Sequence, residues 1–361
     1  MPGSGTRPAI TSPDMAYQPV AAEMPRLGWR EAYRMRWKRR RLLWQSWRSR
    51  HQLRRLSNRT ANISTEDILA FVVLRNEANR LPYFLEYYRR LGIGHFLVVD
   101  NGSDDGSTEF LLQQQDVSLW WTESGYRASR FGVDWLTYLL MTFGHNHWCL
   151  SVDTDELLTY GGIETHDLRA LTALLDRQGR AGLGAMMLDL YPNGPLNRQS
   201  YTAGQNPVEV LKWFDPGPYR AVRQIPMGNL WLQGGARERV FFAEEPRRSP
   251  TLNKIPLIRW HRRYAYANST HSALPPPLNA LYDGPGGAQP SGVLLHTKFL
   301  PEIVQKSATE KQRRQHFHTP AEFDAYYDQL TASPDLWREN SIEFTGPEQL
   351  IDLGLMRAPD W

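Results

Sequence analysis

Runs of apolar residues alternate with helical patterns through the first half of the chain. Continuous apolar runs, which are typical of strands buried on both faces, lie at residues 68–74, 95–99, 148–152 and 184–190. Amphipathic periodicity separates them and predicts helices at about 81–91, 108–115, 129–143 and 168–178. This alternation predicts an α/β fold with a Rossmann-like, mostly parallel sheet and helices on both faces.

The second half of the chain has a weaker pattern. Residues 191–292 are rich in Pro, Gly and Trp, with only short strand-like pieces such as Val240-Phe241-Phe242, and we expect them to form walls over the sheet edge. Helical periodicity returns at 301–330. We therefore predict a disordered tail over 1–28, a basic aromatic amphipathic helix within 29–61, an α/β domain over 62–300 and a C-terminal helical extension over 301–361.

Cysteine content and hydropathy narrow the setting. The chain of 361 residues has one cysteine, Cys149, which excludes an internal disulfide and a multi-cysteine zinc site. No apolar stretch approaches the roughly 18 residues of a membrane span. The N-terminus also lacks the apolar core of a signal peptide. We therefore expect a cytoplasmic protein.

Positive charge is concentrated in one segment. Residues 30–59 hold twelve Lys or Arg against the single Glu31, while the whole chain carries only +4, so the remainder is net acidic. Five aromatic residues of this segment would share an arc of about 80° on a helix over 29–56. They are Trp29, Tyr33, Trp37, Trp44 and Trp47. This pattern predicts an interfacial anchor on an anionic membrane surface, which would place the protein peripherally on the inner face of the cell membrane. The alternatives are packing of these rings on the domain and nucleic-acid binding through residues 30–59.

Polar clusters follow three of the predicted strands, where open parallel sheets bind their ligands. The clusters are Arg75-Asn76-Glu77, the block from Asp100 to Ser107, and Asp153-Thr154-Asp155-Glu156. Because side chains at i and i+2 of an extended strand end point the same way, Asp153 and Asp155 are expected to face one ligand together. Oxygen ligands suit Mn²⁺ or Mg²⁺, which neutralises a nucleoside diphosphate leaving group. The third cluster therefore predicts a metal and diphosphate site.

The stretch from Phe71 to Tyr160 resembles family 2 glycosyltransferases with the GT-A fold. The likeness is greatest to a bacterial branch that combines Asn76-Glu77, a block like Asp100-Asn101-Gly102-Ser103-Asp104-Asp105-Gly106, and an Asp-x-Asp-Glu like residues 153–156. Weaker similarity continues through residues 234–239 and 294–299. The resemblance implies a GT-A fold and inversion of the anomeric centre by direct displacement.

Residue roles follow from the same resemblance. It implies that Asp100 contacts the nucleotide base, Asp153 the ribose and Asp155 the metal, with Asn76, Glu77 and Asn101 near the donor. A late histidine often completes the metal site of GT-A folds, and His296 fits that role. Common members carry two acidic residues where this chain has Asp100-Asn101, so the choice between a UDP- and a GDP-sugar stays open.

Further candidates lie in the second half of the chain. Basic side chains can bind the diphosphate, Arg in a bidentate manner. The candidates are Arg237, Arg239 and Lys254, with His271 and Lys298 as weaker ones. An inverting transfer also needs a general base for the acceptor hydroxyl. Asp189, at the end of a predicted strand, and Glu238 are both candidates for this base.

The predicted function is metal-dependent transfer of a sugar from a nucleotide-sugar donor to a glycan or lipid-linked acceptor, in the synthesis of surface polysaccharide or glycoconjugate. The first alternative is a sugar nucleotidyltransferase, but such enzymes place a glycine-rich phosphate loop after the first strand. Here residues 75–80 contain no glycine. The second alternative is a nucleic-acid-binding protein. The acidic crevice would repel phosphate, so we expect no nucleic-acid substrate.

Overall fold

The computed structural model describes Met24, residues 26–313 and residues 324–361, and it is a mixed α/β structure. The tail predicted over 1–28 lies almost entirely outside the described residues. The helices are α1 Trp29–Ser49, α2 Leu81–Arg90, α3 Ser107–Leu112, α4 Val133–Phe143, α5 Leu168–Arg177, α6 Pro207–Val210, α7 Gly235–Phe241, α8 Ile303–Arg313, α9 Asp324–Thr331 and α10 Pro347–Asp352. The strands are β1 Arg54–Ser57, β2 Ile68–Leu74, β3 Ile93–Asp100, β4 Val117–Trp121, β5 Trp148–Ser151, β6 Glu156–Tyr160, β7 Gly182–Asp189, β8 Trp213–Phe214, β9 Tyr219–Gln224, β10 Asn229–Gly234, β11 Asn253–Arg259, β12 Ala265–Tyr266, β13 Ala273–Leu274, β14 Ser291–His296 and β15 Ile342–Glu343.

A nine-stranded sheet forms the centre, with the order β1-β4-β3-β2-β5-β11-β7-β14-β6. Strands β4, β3, β2, β5, β7 and β14 point one way, and β1, β11 and β6 point the other. The predicted α/β class with a mostly parallel sheet is therefore confirmed. Three of the antiparallel pairings arise from the inserted strand β11 and the edge strand β6.

Helices cover both faces of this sheet. Along β2, alternate side chains enter opposite cores, with Ala70 and Val72 in one and Leu69 and Phe71 in the other. The first core also contains buried residues of α2 and α5, and the second contains those of α4. Burial on both faces explains why the strands appear in the sequence as continuous apolar runs.

The helix predicted over 29–56 is shorter in the structure. Helix α1 ends at Ser49 rather than at residue 56, and Arg54–Ser57 then joins the central sheet beside β4. The helix also lies against α4, where Ser46 Oγ donates to Asp134 Oδ1 at 3.0 Å. Arg130 donates to the same carboxyl oxygen through Nε and Nη2. Residues 29–61 are thus part of the fold. None of the helices in the described ranges is long and apolar enough to cross a bilayer.

The C-terminal segment packs on the core instead of extending from it. Leu350, Leu355 and Met356 are buried in the larger core, and Trp361 stacks on the His166 ring with centroids 4.0 Å apart. A second expectation also fails nearby, because Val240 and Phe241 of the piece predicted as a strand form the end of α7, and Phe242 follows it. Phe241 points from this helix to Phe299 and Tyr326, so its apolar character reflects helix packing.

Tyr88 of α2 ties this helix to β6, and its loss should cost stability. The ring is fully buried, and its hydroxyl donates to the Glu156 carbonyl at 2.8 Å and accepts from the Leu158 amide at 3.0 Å. Tyr88→Phe leaves the Glu156 carbonyl and the Leu158 amide without this hydrogen-bond partner, and it should lower the free energy of unfolding by about 1–3 kcal/mol. Tyr87→Phe is the matched control, because Tyr87 is only half-buried and its hydroxyl donates to the Leu158 carbonyl at 2.7 Å. Urea unfolding measures both variants, and an equal loss in the two would contradict the argument.

Candidate active site at the carboxyl ends of β5, β7 and β14

A tight turn follows β5 and carries the acidic motif. The Glu156 amide donates to the Asp153 carbonyl at 3.1 Å, and the Asp153 amide donates to Glu156 Oε2 at 3.1 Å. The chain is therefore not extended here, and the i, i+2 rule used for the prediction does not apply. Asp153 and Asp155 consequently have different partners, Lys254 for the first and His296 for the second.

Three neighbouring strands place a histidine between two acidic residues. His296, the last residue of β14, lies in register with Asp189 at the end of parallel β7 and with Glu156 at the start of antiparallel β6. His296 Nδ1 is 2.6 Å from Asp189 Oδ1, and Nε2 is 3.2 Å from Asp155 Oδ2. The imidazole therefore bridges the two aspartates, and it is buried.

Arg237, at the start of α7, completes this row. Its Nη2 pairs with Asp189 and lies 2.8 Å from His296 Nδ1, and both residues of the pair are almost fully buried. A guanidinium only donates and a carboxylate only accepts. Nδ1 makes its shorter contact with the Asp189 oxygen, so we assign the ring proton to Nδ1. Nε2 then faces Asp155 Oδ2, to which the protonated ring donates.

Charge around this row shifts the titration of two members. Burial acts to raise the pKa of Asp155, but His296, Arg80 and Lys298 outweigh it and hold this pKa well below its usual range. Burial acts to lower the pKa of His296, but Asp155 and Asp189 outweigh it and raise the value. The row of side chains thus favours an ionised Asp155 carboxylate.

A second buried group lies beside the first. Lys254 of β11 reaches Asp153 Oδ2 at 2.7 Å and Glu156 Oε1 at 2.5 Å. Burial and the neighbouring acidic residues 153 and 155 raise the pKa of Glu156 to about 7 against the effect of Lys254. Burial would lower the pKa of Lys254, but the two carboxyl groups raise it. Lys254 therefore neutralises the acidic turn from within the protein.

The donor atoms fit a divalent cation. Asp155, Glu156 and His296 each offer one ligand atom, and these atoms lie within 4.8 Å of one another. Carboxylate oxygens with one imidazole nitrogen suit Mn²⁺ or Mg²⁺. Among the described residues this group contains Glu156 in place of the predicted Asp153, although Lys254 contacts both carboxylates.

Asp153 instead borders a cleft. Its side chain is 55% exposed, although Lys254 holds one oxygen. Val73, Tyr126, Phe131 and Thr270 also line this cleft, together with Gly132. Gly132 has φ 75°, and a Cβ there would lie 2.8 Å from Val73 Cγ1, so the position needs glycine. The cleft is thus lined by aromatic side chains together with the Asp153 carboxylate.

The other predicted donor-binding residues of the first half form an interlock between two loops. The amides of the first loop donate to side chains of the second: Asn76 to Ser103 Oγ, Glu77 to Ser107 Oγ and Ala78 to Asp105 Oδ2. The Asn76 side chain also bonds with Asp104 in both directions. Asn101 Nδ2 donates to the carbonyls of residues 122 and 124. These polar groups hold the loops in place.

Asp100 is part of this interlock. It is fully buried, and Oδ1 accepts from the Ser103 amide at 2.9 Å and hydroxyl at 2.7 Å, while Oδ2 accepts from Thr108. Both carboxyl oxygens are therefore engaged within the protein. This geometry favours a loop-capping role for Asp100 over the contact with a base that the resemblance implied.

The remaining candidates lie apart from the His296 row or at its border. Arg239 pairs with buried Asp215, and Glu238 pairs with Arg220. His271 is half-buried, with Nδ1 2.6 Å from the Asn253 carbonyl, and burial and the nearby Lys254 lower its pKa to about 4. Lys298 lies over the ring of Tyr326 with its ammonium 5.5 Å from the centroid.

Sequence reasoning missed Arg80. Its buried guanidinium pairs with Glu77 and Glu302 and donates to the Thr297 carbonyl at 3.2 Å. The Thr297 amide in turn donates to the Asp155 carbonyl at 2.7 Å. Arg80 thus connects the first loop, α8 and the acidic turn. The only local signal was its place directly before α2, because both acidic partners become neighbours only in the fold.

Comparisons with known proteins give a partial similarity. No protein-family model matches the chain. A glycosyltransferase family 92 protein of Oryza sativa subsp. japonica is 29% identical over 101 residues, which cover 26% of this chain and 16% of that protein. A solved structure of 4-diphosphocytidyl-2C-methyl-D-erythritol synthase covers 38% of this chain and 68% of its own, with 17% identity and a TM-score of 0.23. A score this low supports no shared fold or function. The sequence similarity is distant, and it is to a glycosyltransferase.

Proposed function

We propose that the chain is a metal-dependent, inverting glycosyltransferase of GT-A type, as the motif resemblance to family 2 implies. It would transfer a sugar from a UDP- or GDP-sugar to a glycan or lipid-linked acceptor. The observation that carries the proposal is the row of Asp155, His296 and Asp189 at adjoining strand ends. The partial similarity to a family 92 glycosyltransferase supports the same class of reaction.

Asp155 and His296 would hold the metal, with Glu156 as a third ligand. A bound Mn²⁺ or Mg²⁺ supplies positive charge against the diphosphate leaving group. His296 can bind only through an unprotonated Nε2, and the Nδ1 contact with Asp189 selects that tautomer. The partly exposed Asp153 carboxylate would meet the ribose, and the aromatic cleft beside it would take the base. Lys254 keeps Asp153 in place.

Asp189 then acts as a positioning residue. Its oxygen Oδ1 is shared by Arg237 and His296, and its side chain is only 3% exposed. The strong coulombic effect of Arg237, together with His296, outweighs burial and lowers the pKa of Asp189. A carboxylate held in this way is a weak proton acceptor for a hydroxyl. We therefore propose that Asp189 orients His296, which differs from the general-base role considered from sequence.

The loop after β2 argues against a sugar nucleotidyltransferase. In such an enzyme, backbone amides of this loop would have to bind triphosphate oxygens. Here the amides of Asn76, Glu77 and Ala78 already donate to side chains of the neighbouring loop. Binding phosphate there would break three hydrogen bonds. The proposed diphosphate position is instead the acidic turn with its metal.

A screen of nucleotide-sugars for Mn²⁺-dependent hydrolysis tests the proposal, because slow hydrolysis of the donor needs no acceptor. We expect one UDP- or GDP-sugar to be hydrolysed with Mn²⁺, and both EDTA and His296→Ala to remove that activity. Glu164→Ala, an exposed carboxylate outside the site, should leave it unchanged. If no nucleotide-sugar is bound or hydrolysed, while a nucleoside triphosphate and a sugar phosphate release pyrophosphate, the proposal is wrong.

A further inference from the structure

Helix α1 turns a stripe of aromatic side chains away from the protein. The exposed fractions are 77% for Trp29, 55% for Tyr33, 51% for Trp37, 55% for Trp44 and 47% for Trp47. Large apolar side chains exposed this far along one helix are unusual on a protein surface and mark a binding face. We call these five residues the aromatic stripe.

The opposite side of α1 is fixed to the protein. Leu42, Ser46 and Ser49 are buried there, at the spacing of one helix face. Leu42 packs with Ala265 and Leu274, and Ser46 binds Asp134. At 100° per residue, the centres of the two faces lie roughly 170° apart. The aromatic stripe therefore cannot turn inwards without detaching the helix.

Arginine residues flank the stripe on both sides. Helical geometry places Arg30, Arg34, Arg41 and Arg48 along one side, and Arg36 and Arg50 along the other. Four guanidinium groups lie over the exposed rings, the closest being Arg50 at 3.4 Å from the Trp47 centroid. Within the described residues, none of the six arginines that flank the stripe forms a salt bridge. Their charge is available to an outside partner.

A groove beside the stripe combines charge with apolar surface. It has a volume of about 370 Å³ and lies between α1 and Pro275, with Leu27 and Met35 among its lining residues. Arg36 and Arg39 also line it. Burial and the nearby Arg36 and Arg263 lower the pKa of Arg39, and no carboxylate in the described ranges forms a salt bridge with it. The groove can thus accept an anionic group attached to a hydrocarbon chain.

We propose that α1 docks this enzyme on a bilayer containing anionic phospholipid. The rings of the aromatic stripe would enter the headgroup boundary, where indoles are favoured, while the flanking arginines would reach lipid phosphates. Complementary charge favours this partner. A second copy of the chain is disfavoured, because it would bring two strongly positive faces together. The proposal concerns a surface apart from the His296 row and is measured without catalysis.

Vesicle co-sedimentation of the full chain tests the proposal. We expect no binding to phosphatidylcholine vesicles and increasing binding as phosphatidylglycerol is added. Replacing Trp29, Trp37 and Trp44 with Ala should reduce binding about tenfold or more, since each ring loses its interfacial contact. Replacing Arg30, Arg34, Arg41 and Arg48 with Gln should reduce it by on the order of 10³-fold, at roughly 1 kcal/mol for each of the four charges.

The control variant replaces Val222 and Ile225 with Ala. These side chains are 61% and 73% exposed, outside α1, and their removal should leave vesicle binding unchanged. Circular dichroism should show that every variant is folded, because all the changed side chains are exposed. Equal sedimentation of all the variants would overturn the proposal. So would binding to duplex DNA in preference to anionic vesicles, or dimerisation through the stripe without vesicle binding.

Discussion

Replacing Asp155 with Ala is expected to remove Mn²⁺-dependent binding of a nucleoside diphosphate while the chain remains folded. The Asp155 side chain contacts His296 and the proposed metal position, whereas its role in the fold is carried by its carbonyl, which binds Thr297. A divalent ion is worth several kcal/mol in such a site, so affinity should fall by about 10²-fold or more. Calorimetric titration with UDP and with GDP, in Mn²⁺ and in EDTA, measures the change.

The control for this experiment is Glu164→Ala, which removes a carboxylate from an exposed position outside the row. It should bind the diphosphate as the unchanged protein does. Thermal unfolding of the Asp155 variant should show an intact fold. If the Asp155 variant keeps its full Mn²⁺-dependent affinity for the nucleoside diphosphate, Asp155 is not a metal ligand.

Asp189→Asn should weaken metal-dependent donor binding and transfer together, by about 10–100-fold, the usual cost of losing the residue that orients a histidine ligand. The amide can no longer fix the Nδ1 proton of His296, and it leaves Arg237 without a charged partner. A lost general base would behave differently, because it would lower transfer by about 10²–10⁴-fold while donor affinity stayed constant. Steady-state kinetics with calorimetry separates the two, and constant affinity would refute the positioning role.

Glu238→Gln provides the comparison. Glu238 accepts from Arg220 at 2.5 Å and from the Ser249 hydroxyl at 3.0 Å, so both oxygens of its carboxylate are engaged within the protein. We expect a change in transfer of less than about tenfold, since no contact with the row is lost. A larger loss of transfer with unchanged donor affinity would instead identify Glu238 as the base.

The sequence was most informative where a strand is buried on both faces. The limits of β2 and the start of β5 agree with the predicted runs, because a continuous apolar segment with polar ends has few other structures available. Strand β1 could not be found in this way, since Arg54–Ser57 lies at the sheet edge and is mostly polar. Nor does any Gly or Pro mark the end of α1 at Ser49. Its end is set by the pairing of β1 with β4.

Only the part of the site that lies at the ends of the strands can be predicted from the sequence. The family resemblance and the strand-end positions point to Asp155 and His296, and the structure brings these two side chains together. The pairing of Lys254 with Glu156 cannot be predicted from the sequence, because these residues lie far apart along the chain and meet only through the order of strands in the sheet. The turn at residue 153 was also missed, since an Asp-x-Asp pattern does not distinguish an extended end from a turn.

The hydrogen bonds that converge on Asp134 have a consequence for thermodynamic linkage. Ser46 of α1 and Arg130 share one oxygen of this carboxylate, and the loop after Arg130 borders the cleft at Asp153. A ligand in the cleft and a membrane bound to α1 would therefore contact two segments that are joined by hydrogen bonds at Asp134. Coupling between two binding events is reciprocal, so any gain in donor affinity on vesicles must equal the gain in vesicle affinity when donor is bound. Vesicle binding at α1 and donor binding in the cleft would then strengthen or weaken each other by the same factor.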